Sequence, residues 1–394
     1  MGARPLDGVT VVSLEQAVAA PFATRQLADL GARVIKIERP GTGDFARAYD
    51  ATVRGLSSHF VWLNRSKESL TLDLKRPEAA DALRRLIGRA DVFVQNLAPG
   101  AAERLGLGAE ALRAAHPRLI VCGLSGYGDS GPYRDRKAYD LLVQAESGVM
   151  AITGTPDECV KLAIPVADLA AGMYAYTGVL TALYARERSG DGAAIEVSML
   201  EALGEWMGFP LHYTVYGGAP PPRSGAHHAT IAPYGPYACA GGEAVLLGIQ
   251  NEREWVRFCA EVLRRPDLAA DPRFDSSTRR PANREALDRE IVGVFSALGA
   301  AEAIERLDAA GIANARLNTV EQFAGHPQLA ARDRWREVAT SAGPVRSLIP
   351  PASIDGVEPR MEGVPELGAH TESILQELGY DAATIAGWRA AGIA

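Results

Sequence analysis

The sequence predicts an α/β protein: a large domain built on a Rossmann-like, mostly parallel sheet, and a smaller α+β domain. Three observations carry that prediction. Over the first stretch of about 125 residues, β-branched runs alternate with helix-length segments, the pattern of a parallel sheet covered by helices. Gly217 to Pro222 is Gly- and Pro-rich and reads as a stiff, solvated linker, after which the alternation changes character. At 394 residues, 47% hydrophobic and 23% charged, the chain is long enough for two domains with full cores.

Val9 to Leu14 is a strand by its β-branched run. Pro21 suits the first turn of a helix that runs through Leu30 and stops at Gly31. Val34 to Glu38 is the next strand, completing a right-handed βαβ unit. The turn between strand and helix, Glu15 to Pro21, lacks the glycines that let a pyrophosphate approach the backbone. A nicotinamide cofactor is therefore not expected. Leu70 to Leu74 alternates as a strand, Pro77 to Arg89 is a helix, Asp91 to Gln95 a strand, Ala109 to Ala115 a helix and Leu119 to Leu124 a strand. Ligands of such sheets sit beyond the carboxyl ends of the strands, here near Glu15, Arg39, Asn96 and Ser125.

From Leu169 to Leu183 small and apolar residues recur at helical spacing, with Asp168 where an N-cap belongs. The helix ends at Arg186 and Arg188 before Gly190, and Ala194 to Met199 is a strand. Asp168 has two readings. As a cap it accepts hydrogen bonds from free backbone N–H groups. As a carboxylate kept ionised by the helix dipole, it is a nucleophile. Spacing leaves both open.

Beyond the linker, Ala244 to Ile249 is a strand, and Asn251 is an N-cap with Glu254 at the capping-box position. Helices follow at Arg284 to Leu298 and Ala301 to Ala310, then a strand at Ala315 to Val320. Short strands after Gln328 lead to helices at Thr371 to Leu378 and Ala382 to Ala391. His227, His228, Tyr234 and Tyr237 fall in a loop, Arg223 to Tyr237, that reads as a substrate lid or a domain connector.

Several function classes are disfavoured. The net charge of −7 argues against a general nucleic-acid binder. Cys122, Cys159, Cys239 and Cys259 have no C-x-x-C or metal spacing and read as buried thiols. The histidines lack metal spacing too, so no metal is expected. No window reaches the ~18 uninterrupted apolar residues of a membrane span. The first residues carry no apolar leader. A cytoplasmic protein without a membrane partner is the expectation. Gly123 to Tyr127 fails as a hydrolase nucleophile elbow, because its fifth position is not glycine. Arg39, Lys75, Arg104 and Lys137 stand at or just after strand ends, an arrangement suited to a phosphorylated cofactor.

The chain resembles the class III coenzyme A transferases, the formyl-CoA and carnitine-CoA transferase family, over nearly its whole length. The resemblance lies in Pro5 to Val9, Leu30 to Gly41, Asn64 to Lys75, Gln95 to Gly100, Ser125 to Tyr127 with Gly131 to Tyr133, Ala138 to Asp140, Ala167 to Gly172, Arg188 to Gly192 and Glu366 to Thr371. It implies that Asp168 attacks acyl-CoA. It also implies that CoA is contacted by Val18, Ala19, Arg39, Leu72, Lys75, Asn96, Leu97, Arg104, Lys137, Ala138, Tyr139 and Asp140. Coenzyme A then enters as substrate and product, with acyl-CoA and small carboxylic acids as partners and no permanently bound cofactor. The implied organisation is 1–216 as the N-terminal part of the large domain, 225–325 as the small domain and 326–394 returning to the large one. Two such chains would interlock as a homodimer.

Formyl-CoA transferases carry a glutamine in the first turn and a glycine-rich loop before the small domain. Here Val18 and the Pro-rich Gly217 to Arg223 occupy those places, so formyl-CoA and oxalate are not expected. The first turn, Ser13 to Pro21, instead resembles the branch that handles mesaconyl-, succinyl- or citramalyl-CoA. A second carboxylate calls for a cation, with Arg25, Arg47 and Arg223 as candidates. The related α-methylacyl-CoA racemases place a histidine where this chain has Tyr139, and a phenol with a pKa of about 10 is a poor base at neutral pH. A CoA-binding protein without turnover is the remaining alternative.

Overall fold

The computed structural model describes residues 3–394. Six parallel strands form the central sheet: β1 (Thr10–Leu14), β2 (Arg33–Glu38), β3 (Lys67–Thr71), β4 (Val92–Gln95), β5 (Ile120–Ser125) and β6 (Ala194–Ser198). Their spatial order is β3-β2-β1-β4-β5-β6, the order of dinucleotide-binding folds. The sheet is therefore Rossmann-like in topology even though the first turn has no glycine fingerprint. The central strands β1, β4 and β5 are buried along most of their length, as cover by helices on both faces requires.

The helices in the first part of the chain are α1 (Ala19–Asp29), α2 (Ser58–Leu63), α3 (Pro77–Ile87), α4 (Ala101–Arg104), α5 (Ala109–Ala115), α6 (Asp140–Glu146), α7 (Val149–Ile152), α8 (Val166–Ser189) and α9 (Met199–Trp206). Pro77 opens α3, where its missing N–H costs nothing. The third strand lies at Lys67–Thr71, three residues before its expected place. Backbone pairing with β2 decides this, from Val34 opposite Lys67 to Glu38 opposite Thr71. Leu72, the apolar residue that suggested a later strand, is buried in the core just past the strand's end.

The chain forms two compact units. One contains Met1–Ser147, Leu162–Met207 and Leu329–Ala394; the other contains Gly148–Lys161 and Gly208–Gln328. In the first unit the tail helices, Thr371–Glu377 and Ala382–Ala390, place Ile374, Leu375, Leu378, Ile385 and Ile393 in the sheet core beside Leu83, Ile87 and Phe93. Edge strand β3 is covered by the same tail: Ser69 N donates to His370 Nδ1 at 3.1 Å and Thr71 N to Thr371 Oγ1 at 3.0 Å.

The second unit holds α10 (Gly208–Gly217) and an antiparallel sheet of order β7 (Tyr234–Ala238), β8 (Ala244–Gly248), β9 (Ala313–Arg316). Part of the expected loop at Arg223 to Tyr237 is thus strand, with His228 stacked on Tyr234 and His227 edge-on to Tyr237. Asn251 caps the next helix as expected, accepting from Glu254 N at 3.0 Å. The Glu254 carboxylate reaches one residue further back than a capping box requires and accepts from Gln250 N. Cys122, Cys239 and Cys259 are buried, whereas Cys159 is exposed, against expectation, on the short segment that leads out of α7.

At 24 residues α8 is long and apolar enough to cross a membrane, a property that buried core helices share. Half of its most apolar window is buried inside the protein. The contacts are close: a Cβ added to Gly172 would lie 2.6 Å from Ala19 O, so only glycine lets α8 lie against the start of α1.

Candidate active site

Strand order reverses between β1 and β4, and the loops that leave those two strands form the switch point of the sheet. Asn96 stitches them together. Its Oδ1 accepts from Gln16 N and its Nδ2 donates to Gln16 O, both at 2.9 Å. Leu97 N donates to Gln95 Oε1 at 2.8 Å, which fixes the other loop. Val18 and Ala19 are buried at the start of α1, just beyond this clamp.

Asp168 is the third residue of α8, and Pro165 occupies the N-cap. The expected cap position is therefore corrected by one helical turn. Another carboxylate supplies the cap: Asp140 Oδ1 accepts from Ala167 N at 2.8 Å and Asp168 N at 3.2 Å. Asp140 Oδ2 accepts from Gln144 Nε2 at 2.6 Å, and Gln144 Oε1 accepts from Leu162 N at 2.9 Å. Asp140 sits at the first position of α6, so one helix start anchors another.

With the cap supplied from elsewhere, the partly buried Asp168 carboxylate accepts no hydrogen bond among the described residues. Burial, reinforced by the negative charge of Asp140, pushes its pKa up to about 7. The expectation that the helix dipole would keep it fully ionised is reversed, because desolvation and a like charge outweigh a partial dipole charge. Asp168 and Gly172 are four residues apart and share a helix face, so the carboxylate lies on the face that meets Ala19.

Tyr49, which sequence reasoning passed over, belongs to this neighbourhood. Burial and the nearby Asp44, Asp168 and Tyr139 push its phenol up to about 12. Its ring meets Phe45 at 5.7 Å and His59 edge-on at 5.4 Å, which leaves an aromatic wall partly open to solvent. Tyr139 is 67% exposed at the N-cap of α6. Ala138 packs so closely on Gly126 that no side chain fits there.

Arg39, Lys75, Arg104 and Lys137 lie in the segments that leave the carboxyl ends of β2, β3, β4 and β5. They are exposed, and among the described residues none forms an ion pair. Cations left unpaired at a sheet's ligand edge suit an anionic ligand. The three candidate anchors for a second carboxylate are placed differently. Arg47 is bound to Glu38 at 2.7 Å and lies over the Phe60 ring. Arg25 pairs with Asp29, and Arg223 donates to the carbonyls of Thr155, Ala151 and Pro156. Each already has a structural role.

Beneath the switch point lies a buried charge cluster that was also missed. Lys36 Nζ pairs with Asp44 at 2.7 Å and Glu15 at 3.5 Å, and Lys67 Nζ with Glu15 at 2.6 Å. The signal was present in the sequence: Val34-Ile35-Lys36-Ile37 puts a lysine inside a strand whose two faces are both covered.

Comparison with known proteins gives consistent matches. The model of CoA-transferase family III matches residues 6–371. An acetyl-CoA:oxalate CoA-transferase of Acetobacter aceti is 35% identical, over 95% of each chain. A succinyl-CoA:mesaconate CoA-transferase of Haloarcula hispanica is 33% identical, over 98% of each. Among solved structures, a CAIB/BAIF family protein from Brucella suis superposes with a TM-score of 0.84 at 30% identity, covering 96% of this chain and all of that one.

Proposed function

Because this chain belongs to CoA-transferase family III, we propose that it moves coenzyme A from an acyl-CoA donor to a small dicarboxylic acid through Asp168. One observation carries the reading. The fold spends Asp140 on capping α8 and leaves the Asp168 carboxylate without a hydrogen-bond partner among the described residues, on the face that meets the switch point.

Ionised Asp168 attacks the thioester carbonyl; a C–O bond forms, the C–S bond breaks, and CoA leaves as a thiolate. The product is a mixed anhydride. The thiolate then attacks the aspartyl carbonyl, releasing the donor acid and leaving an aspartyl-CoA thioester. The acceptor carboxylate attacks that thioester and expels the thiolate. The thiolate finally attacks the acceptor's acyl carbon, which restores the Asp168 carboxylate. Each tetrahedral step places negative charge on a carbonyl oxygen, for which backbone N–H groups are the natural partners. Arg39, Lys75, Arg104 and Lys137 would hold the phosphates of CoA, with Val18, Ala19, Leu72, Asn96, Leu97, Ala138 and Tyr139 around the rest of the molecule.

The dicarboxylate assignment draws on the first turn and on relatives named for mesaconate and oxalate. Oxalate, set aside on Val18 and the Pro-rich Gly217 to Arg223, therefore rejoins the acceptors to be tried. The mostly apolar α10, which has no acidic or basic residue other than His212 and leaves Phe209, Leu211, Val215 and Tyr216 exposed, supports a homodimer that covers it. A cytoplasmic setting is part of the same reading.

The test is a panel of acyl-CoA donors against labelled short carboxylic acids. Asp168→Ala should abolish transfer while CoA still binds, and hydroxylamine should trap an aspartyl adduct in the parent protein alone. Full transfer by the variant would remove the assignment.

A further inference from the structure

We propose that the buried Asp44–Lys36 pair is a positioning device for the reactive end of the site, holding the turn Gln16 to Val18 in the shape that sets the start of α1 against α8. The inference rests on the CoA-transferase reading and goes beyond it by assigning a role to groups that touch no substrate. Ala17 has φ +62°, a left-handed conformation that an L-residue adopts only when its surroundings impose it. What imposes it is visible. Ala17 N donates to Asp44 Oδ1 at 3.1 Å, and the same oxygen accepts from Ala46 N at 2.9 Å. Asp44 Oδ2 is held by Lys36 Nζ at 2.7 Å, with both side chains fully buried.

The flanks of the turn are tied to the same cluster. Lys36 Nζ donates to Glu15 O at 3.3 Å, and Lys67 Nζ donates to Pro21 O at 3.0 Å. The clamp from Asn96 holds Gln16 from the other side. A buried ion pair of this kind adds little net stability over apolar packing. Its groups converge instead on the backbone of one turn.

The link to chemistry runs through Ala19. If Ala17 relaxes to negative φ, Val18 and Ala19 move, and Ala19 O is the atom that Gly172 approaches most closely. Asp168 lies one turn before Gly172 on the same face, so a shift at Ala17 is passed to the nucleophile. A displacement of about 1 Å at a reacting group can lower a rate ~100-fold. Val18 and Ala19 are only two of the groups proposed around CoA, whose phosphates fall to Arg39, Lys75, Arg104 and Lys137, so Asp44 would act on turnover more than on the affinity for CoA.

The experiment follows exchange of a labelled carboxylate into its own CoA ester, with acetyl-, succinyl- and oxalyl-CoA as probes. Asp44→Ala should lower kcat about 30-fold or more while changing the KM for the ester by less than about threefold. Asp44→Asn keeps an acceptor oxygen for Ala17 and should lose less. Asp44→Ala/Ala17→Gly should recover at least about fivefold over Asp44→Ala, because glycine adopts positive φ without help. If Asp44→Ala fails to fold, Lys36→Met/Asp44→Ala removes both charges and takes its place in the rescue test. Hydrogen exchange reads the turn without substrate: the Ala17 amide should exchange about tenfold faster in the variant, with the later turns of α1 unchanged. Loss of stability without rescue by Ala17→Gly, or unchanged exchange at Ala17, would overturn the inference. Should the parent protein exchange no ester while Ala17 still loses protection in the variant, the transferase reading fails and the device stands.

Discussion

At the scale of single residues, the decisive relation is between two aspartates. Asp140 takes the hydrogen bonds of the α8 start, and Asp168 takes the consequences: a desolvated carboxyl beside a like charge, with a pKa of about 7. If Asp168 is the nucleophile proposed above, about half of it is ionised at neutral pH, so kcat/KM should rise as pH passes through about 7 and then level off. Replacing Asp140 by Asn keeps an acceptor for the α8 amides and removes the charge. The acid limb of the pH profile should then move down by up to about one unit, with the burial contribution remaining. An unmoved limb would show that Asp140 does not act on Asp168 electrostatically. The same pKa bears on stability. Asp168 is raised above its ordinary 3.8, so its contribution is fully present below about pH 4 and is lost as pH rises through about 7. Asp168→Asn, uncharged at every pH, should therefore gain on the order of 2 kcal/mol over the parent at pH 8 and little at pH 4, as read by urea unfolding.

At the scale of elements, β2 shows how one strand can serve packing and a charged cluster together. Val34, Ile35 and Ile37 fill the core, while Lys36 and Glu38 carry charges inside it. Burial raises the pKa of Glu38, yet the Arg47 guanidinium with help from Lys36 and Ser69 more than reverses this, holding it at about 2. Stability from this group is present above about pH 4.5 and is lost as pH falls through about 2. Arg47→Met would strand a buried carboxylate. It should cost about 3 kcal/mol at pH 7, and acid unfolding should begin at a higher pH than in the parent. A variant as stable as the parent at both pH 7 and pH 4 would mean that the pair contributes nothing. The cluster was overlooked because no local pattern names the partners of a buried lysine: Glu15 and Asp44 lie 21 and 8 residues away in sequence.

At the scale of the whole molecule, α10 is the element that a single chain leaves unexplained. Val215 is 63% exposed and Tyr216 84% exposed on a helix without a charged residue. Helices of that composition are normally buried, and a second copy is the partner the resemblance implies. Sedimentation should therefore give about twice the 41.8 kDa of one chain. Val215→Lys/Tyr216→Lys should shift the protein toward monomer. A parent protein that sediments as a monomer at micromolar concentration would sink the dimer.

Local pattern was enough to place Thr10–Leu14, Ala109–Ala115, Thr371–Glu377 and every strand of the parallel sheet except β3 within a residue or two, because β-branched runs, helical spacing and Pro or Gly stops act over a few residues. Motifs along the chain were likewise enough to point to the family and to single out Asp168. Tertiary structure decided the rest. It moved β3 by pairing it with β2, gave the α8 cap to Asp140, brought Tyr49 to Asp168 and joined Lys36 to Asp44. Hydrogen-bond partners and desolvation depend on which distant segments meet, and the pKa of the one carboxyl group that matters most follows from that meeting.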